Sequence, residues 1–208
     1  MPLDLAELVS PRHTAIVTSE IQRGVIGDLS ALPELAKQGR EILPQVARLV
    51  EGARAAGVEV VHCIAERRAD DKGMNRNARM FAYMKKAEPK LLPGSPATEI
   101  VPEVKVQDSD VVLARLHGLS PFSGTELDFV LRNLEVTTVV AVGVSINIAI
   151  QNLTFDCVNA GYQVVIPIDA VAGTPRSYVE QVFEHTLRNV ATLVTTDDLV
   201  RAWNARGR

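Results

Sequence analysis

The sequence predicts a three-layer α/β/α protein, in which helices cover both faces of a six-stranded, mostly parallel β-sheet. Two observations support this prediction. Short, β-branched apolar runs of the kind found in buried strands alternate with segments whose apolar residues recur at helical spacing. Glycines also stand where two of these helical patterns end. Strand–helix alternation of this kind produces parallel strands, whose carboxyl ends meet at one edge of the sheet.

The elements follow one another along the whole chain. Runs rich in Val, Ile and Thr predict strands at 14–18, 58–64, 110–114, 137–142, 163–167 and 192–195. Helical patterns cover 43–56, 124–133, 147–160 and 177–189, with Gly57 and Gly161 as stops and Asp197 as a candidate cap for a last short helix. In the third helix the predicted core face carries Ile146, Ile150, Leu153, Cys157 and Val158.

The segment 66–92 breaks this alternation, because it is polar, rich in arginine and longer than an ordinary connection. It is either a lid or specificity element over a site, or a surface excursion that contacts another subunit. Arg67, Arg76 and Arg79 are candidates for binding a carboxylate substrate, but the solvated face of a helix explains them equally well.

Composition predicts a single domain over residues 1–208. The chain has 208 residues, 47% hydrophobic residues and a net charge of −3. This near-neutral balance argues against nucleic acid as a partner. No apolar run approaches the roughly 20 residues of a membrane helix and the start lacks a secretion pattern, so we expect no membrane partner and a cytoplasmic location.

Cys63 and Cys157 fall within predicted elements and are expected to be buried free thiols.

Candidate functional residues stand where the predicted strands end. Glu20 follows the first strand and Arg115 the third, while Ser145 and the helix containing Ala149 follow the fourth. Because parallel strands end at one edge, a carboxylate, a guanidinium and a helix N-terminus are expected to converge there. His117 either faces this pocket or is a hydrogen-bonding loop residue, and Ser145 is either a replacement nucleophile or, as we favour, a turn residue.

From about residue 14 to residue 198 the chain resembles the isochorismatase-like hydrolase superfamily, also called the cysteine hydrolase family. The resemblance rests on Glu20-Ile-Gln22 at the end of the first strand, Arg115 after the third, the pattern Ser120-Pro-Phe122-Ser-Gly124-Thr125-Glu-Leu127, and Gly143-Val144 before the helix that bears the family nucleophile. The resemblance implies a Rossmann-like fold, a cis peptide bond at Val144–Ser145 and a homodimer or higher homo-oligomer, with Leu153 as a candidate contact or, equally, a core residue.

All three catalytic positions depart from the family pattern. By this resemblance Glu20 replaces an Asp, Arg115 a Lys and Ala149 the nucleophilic Cys. A methyl group cannot attack a carbonyl, and deletion of a covalent nucleophile can cost on the order of a millionfold in rate, so thioester-forming hydrolysis is excluded. Cys157 does not replace the thiol, because it lies two turns deeper on the predicted core face. The Asp-x-His arrangement that holds a metal in nicotinamidases has no counterpart, and we expect neither metal nor cofactor.

Two functions remain open for this degenerate triad. In one, Glu20 is a general base that activates water for hydrolysis of a small amide, ester or vinyl ether, supported by Arg115. In the other, the two side chains form a salt bridge in an inactive protein that binds a small molecule or assembles. A general-acid role for Glu20 is disfavoured, because a neighbouring arginine favours the ionised carboxylate. The predicted contacts to substrate or ligand are Gln22, His117, Phe122, Val144 and Ser145.

Overall fold

A parallel β-sheet forms the centre of the protein. The computed structural model describes residues 4–206. The strands are β1 (Thr14–Ser19), β2 (Glu59–Ala65), β3 (Val111–Arg115), β4 (Thr138–Val144), β5 (Gln163–Pro167), β6 (Val171–Ala172) and β7 (Thr192–Val194). They pair in the order β3-β2-β1-β4-β5-β7, the short β6 pairs with β4, and every strand pairing is parallel. The predicted fold class is therefore confirmed.

Helices cover both faces of this sheet. They are α1 (Leu5–Leu8), α2 (Pro33–Ala56), α3 (Arg79–Lys86), α4 (Leu127–Asn133), α5 (Gln151–Asn159), α6 (Arg176–His185) and α7 (Thr196–Arg206), with 3-10 turns at Pro11–His13, Pro102–Val104 and Leu187–Asn189. Apolar residues of α2 and α7 pack on one face, and those of α4, α5 and α6 on the other. Alternate residues of β4 enter the two cores, as expected for a strand covered on both sides.

Several predicted boundaries were wrong for identifiable reasons. Helix α2 begins at Pro33, ten residues before the predicted start, because Pro33 occupies the first helical turn and Pro44 is accommodated inside the helix. Strand β6 was missed because two residues give no periodic pattern. The last helix is capped by Thr195, whose Oγ1 accepts a bond from Asp198 N at 3.2 Å, and not by Asp197.

The helix after β4 also differs from its prediction. Its first turn, Ile146–Ile150, is a π-helical turn, and the α-helical part begins at Gln151. Val158 was expected on the core face but is 37% exposed, whereas Leu153 is fully buried in the sheet core and is not available as an oligomer contact in this chain. Cys157 is buried as predicted.

A buried polar chain joins the three strands β1, β2 and β3 to α2. Thr18 Oγ1 lies 2.7 Å from His62 Nδ1, and His62 Nε2 lies 3.3 Å from Asp110 Oδ2. Arg54 of α2 donates from Nε to Asp110 Oδ1 at 3.0 Å. His62 is therefore a satisfied core histidine. Its burial lowers the pKa of the imidazole below the ordinary value.

This lowered pKa predicts a stability that depends on pH. The unfolded chain protonates His62 near pH 6.5, where the folded protein still holds it neutral, so the contribution is complete above that pH and is lost as the pH falls toward the folded pKa. We expect the unfolding free energy, measured by urea titration at several pH values, to fall between pH 7 and pH 5. The slope due to His62 is at most about 1.4 kcal/mol per pH unit.

In His62→Gln this part of the slope should disappear, while the exposed control His185→Gln should retain it. An unchanged slope in His62→Gln would show that another group controls the acid sensitivity.

Candidate active site

The carboxyl ends of four neighbouring strands open onto one cavity with a volume of about 440 Å³. Its walls include five of the residues predicted for the site. These are Glu20, Arg115, His117, Ser145 and Ala149. The convergence expected from parallel strands therefore occurs, since Glu20 after β1, Arg115 at the end of β3 and Ala149 after β4 all line the same space.

An ion pair between Arg115 and Glu20 forms the floor of this cavity. Arg115 Nη2 donates to Glu20 Oε1, and the two side chains are only 6% and 19% exposed. Glu20 has a left-handed backbone, with φ of 53°, and its N–H donates to Cys63 O at 2.9 Å. A non-glycine residue in this conformation is held there by its surroundings, and such residues are enriched at functional sites.

The ion pair leaves polar atoms of both partners without a bond. Arg115 Nε and Nη1 are buried and have no hydrogen-bond partner among the described residues. No hydrogen bond reaches Glu20 Oε2 from any residue in 4–206, and this atom is not among the enclosed ones. The carboxylate therefore keeps one oxygen available to a molecule in the cavity.

The turn after β4 places Ala149, which by the family resemblance replaces the nucleophilic cysteine, at the wall of the cavity. Gly143 has φ of 103°, and a side chain there would meet Ser19 O at 2.4 Å, so only glycine permits this close contact with β1. The Val144–Ser145 peptide is cis, as the family resemblance implied. Ser145 O accepts from the N–H groups of Ile148 and Ile150, which supports its interpretation as a turn residue. Helix first-turn N–H groups near Ala149 favour negative charge.

Three predicted ligand contacts lie outside the cavity wall. Gln22 is fully buried, and its amide binds Ala65 N, Ala65 O and Thr98 O, so it fastens the end of β1 to β2 instead of facing a ligand. Phe122 stacks edge-to-face on Tyr162 with a ring separation of 6.0 Å. Val144 is fully buried in the core beneath the turn. None of the three is among the described residues that line the cavity.

Neither cysteine replaces the missing nucleophile. Burial raises the pKa of Cys63 to about 12, and burial likewise raises that of Cys157. A thiol is nucleophilic only when it ionises, so both groups are inert at neutral pH. Neither sulfur belongs to a residue that lines the cavity in the described part of the chain.

Residues 66–92, here called the cover segment, form the opposite wall of the cavity. Arg67 holds this segment together from within, because Nη1 donates to Met84 O and Nη2 to Lys85 O at 3.1 Å, which caps the end of α3. Its Nε lies 3.3 Å from Asp71 Oδ1. Arg67 is thus occupied by structural contacts, and the exposed Arg76 and Arg79 do not line the cavity.

Two further bonds fix the cover segment over the site. Gly118 N donates to Asn75 Oδ1 at 2.9 Å, and Tyr83 Oη donates to Ala31 O at 3.1 Å. The apolar side chains that the segment contributes to the cavity include Phe81 and three of the four methionines in the chain, which are Met74, Met80 and Met84. Methionine adapts its shape readily, so this wall suits apolar parts of a ligand.

Sequence reasoning missed Glu66, which also lines the cavity. Glu66 directly follows β2 as Glu20 directly follows β1, and its N–H donates to Arg115 O at 2.9 Å. Its position immediately after a buried strand could have indicated Glu66 as a site residue. The chain becomes charged and irregular at that point, however, and Glu66 was therefore assigned to the irregular segment.

Two features are absent from residues 4–206. No group of three or more His, Cys, Asp and Glu side chains has the arrangement of a metal site. No helix in this range is both long and apolar enough to cross a membrane.

The fold and this site define a hydrolase-like α/β protein, and comparison with known proteins identifies its family. The isochorismatase domain family matches residues 14–198, and the chain therefore belongs to the isochorismatase family. A protein named a probable inactive nicotinamidase from Arabidopsis thaliana is 26% identical over 187 residues, which cover 89% of this chain and 93% of that protein.

Solved structures show the same fold. An isochorismatase family protein from Desulfovibrio vulgaris matches with a TM-score of 0.79 and 22% identity, over 95% of this chain and all of that chain. N-carbamoylsarcosine amidase from Thermoplasma acidophilum matches with a TM-score of 0.71 and 22% identity, over 89% and 97% of the two chains.

The contacts of Arg67 predict that one substitution loosens the cover segment. In Arg67→Met, the last carbonyls of α3 lose their cap, and local opening should become easier by about 1–2 kcal/mol, which corresponds to roughly 5–30-fold faster amide exchange across α3. Hydrogen–deuterium exchange resolved by peptide measures this change. The neighbouring control is Arg68→Met, since Arg68 is exposed and, among residues 4–206, forms its ion pair with Asp70. Equal exchange in both variants would show that Arg67 does not hold the segment.

Proposed function

We propose that the protein binds a small molecule in this cavity and hydrolyses an amide or ester bond in it without a covalent intermediate. The observation that carries the proposal is the state of Glu20, which lines the cavity and is anchored through Oε1 by Arg115, while no hydrogen bond from residues 4–206 reaches Oε2. A positioned carboxylate with one free oxygen suits a general base toward water.

The chemistry follows from the groups around the cavity. Glu20 Oε2 accepts a proton from a water molecule, and the water oxygen attacks the carbonyl carbon. The negative charge that develops on the carbonyl oxygen is stabilised by the guanidinium of Arg115 and by the positive end of the helix that begins after β4. Ala149 contributes space, since a small side chain there leaves room for the attacking water. Hydrolysis of a vinyl ether by Glu20 fits less well, because Glu20 itself would have to donate a proton to carbon and it is bound by an arginine.

Ligand binding without turnover is the second candidate function. The enclosed ion pair between Arg115 and Glu20 favours this candidate, because such a pair can also be a purely structural contact in a site without catalytic activity. The relative named a probable inactive nicotinamidase points in the same direction. A purely assembling protein, a homo-oligomeric state and a cytoplasmic location all stay predictions alongside these two candidates.

Substitution of the proposed base separates the two functions. Metabolites that raise the melting temperature are first identified by thermal shift, and their products are then sought by mass spectrometry. In Glu20→Gln, turnover should fall by about 10²–10⁴-fold because the base is lost, whereas ligand affinity measured by calorimetry should change little. A wild-type protein that binds ligands but forms no product would contradict hydrolysis and support the second candidate.

The matched control is Glu135→Gln. Glu135 is exposed and shares the left-handed backbone of Glu20, with φ of 56°, but it lies before β4 at the opposite edge of the sheet. Turnover by this variant should equal that of the wild type. A loss as large as that in Glu20→Gln would show that carboxylate removal acts through stability instead of through chemistry.

A further inference from the structure

Glu20 and Glu66 line the cavity from the ends of neighbouring strands, and Glu34 is the third glutamate of the lining. Glu20 follows β1 and Glu66 follows β2, and these strands are paired directly, with Ser19 opposite Cys63. Continued by one residue, this register puts Ile64 opposite Glu20, so Glu66 stands two residues farther along, with Cα atoms roughly 8 Å apart. Both residues line the same cavity. This arrangement resembles the paired carboxyl groups that divide acid and base roles in many hydrolytic sites.

The two carboxyl groups differ in their partners. Glu20 is paired with Arg115, whereas Glu66 has no ion-pair or side-chain hydrogen-bond partner in the described residues. The arginines nearest in sequence are already engaged. Arg67 binds the end of α3 and Asp71, and Arg68 binds Asp70. No cation therefore neutralises Glu66 directly.

The partly buried position of Glu66 reinforces this difference. Burial raises the pKa of its carboxyl above the ordinary value, and no charged neighbour counteracts the effect. The other charged or titratable side chains that line the cavity are Glu20, Glu34, Arg67, Tyr83, Lys90, Arg115 and His117. A carboxyl group without a cation holds its proton more readily than one bound to arginine, and so it suits the acid role.

We propose that Glu66 is the general acid of this site and protonates the leaving group while Glu20 activates water. This role rests on the proposed hydrolysis. It assigns the open oxygen of Glu20 to the incoming water and the unpaired carboxyl of Glu66 to the departing nitrogen or oxygen. The cover segment, which begins at Glu66, then carries a catalytic residue as well as the apolar wall.

The step balances in atoms and charge. Glu20 takes one proton from water, and the remaining hydroxide oxygen forms a bond to the carbonyl carbon. The bond from that carbon to the leaving nitrogen or oxygen breaks, and its electron pair takes the proton of Glu66. Glu20 ends protonated and Glu66 ionised, and exchange with solvent restores both groups. No oxidant, reductant or cofactor enters the reaction.

The dependence on leaving group tests this role. The probes are p-nitrophenyl butyrate, whose nitrophenolate leaves without a proton, and ethyl butyrate, whose ethoxide does not. In Glu66→Gln, kcat for the ethyl ester should fall about 10²–10⁴-fold, while kcat for the nitrophenyl ester should stay within about threefold of the wild type. Glu20→Gln should slow both esters, because both need an activated water.

Two controls separate chemistry from folding. Glu66→Asp keeps an acid at the same place and should restore part of the ethyl ester activity, and Glu59→Gln removes an exposed carboxylate at the other end of β2 and should change neither rate. The alkaline limb of the pH–kcat profile for ethyl butyrate should be present in the wild type and absent in Glu66→Gln, a change that a purely structural role would not produce.

The possible failures are distinguishable. Equal effects of Glu66→Gln on the two esters, or no effect on either, would overturn the acid role and leave water activation by Glu20 in place. Hydrolysis of neither ester by the wild type would overturn the proposed hydrolysis and the acid role together.

Discussion

The ion pair between Arg115 and Glu20 is the interaction on which the site depends. It joins the end of β3 to the end of β1 across β2, which lies between them in the sheet. Because both side chains are largely enclosed, removal of one partner would leave a charge with poor access to water. The pair therefore sets the positions of both groups, and it decides which carboxylate oxygen meets the cavity.

The pair also explains how the three departures from the family pattern belong together. By the family resemblance, Glu20 and Arg115 keep the charges of an Asp and a Lys on longer side chains, and Ala149 stands in place of a thiol. A longer carboxylate that is bonded through one oxygen retains a second for water. The proposed mechanism therefore uses the charges of the site without a thiol, unlike the covalent chemistry that the family resemblance implies.

Much of the fold was predictable because strands and helices alternate regularly along the chain, and each kind of element has its own spacing of apolar residues. The six longer strands and the convergence of Glu20, Arg115 and Ala149 follow from that alternation and from the parallel geometry of strand ends. The start of α2 was not predictable in this way, because an internal Pro44 resembles a helix start, and β6 is too short for any pattern. The remaining errors concern residues at irregular positions, where no periodic pattern predicts the direction of a side chain. Gln22 turns into the backbone of β2, and Glu66 enters the cavity from a segment without periodicity.

A double-mutant cycle on the free energy of unfolding tests the central interaction most directly. Glu20→Leu, Arg115→Met and the combined variant are compared with the wild type by urea titration, which isolates the energy of the pair from the separate effects of each side chain. The pair described here predicts a coupling energy of about 1–3 kcal/mol, with the double variant more stable than the sum of the single effects implies. Coupling indistinguishable from zero would show that the two groups do not hold each other, and the assignment of the open oxygen of Glu20 would fall with it.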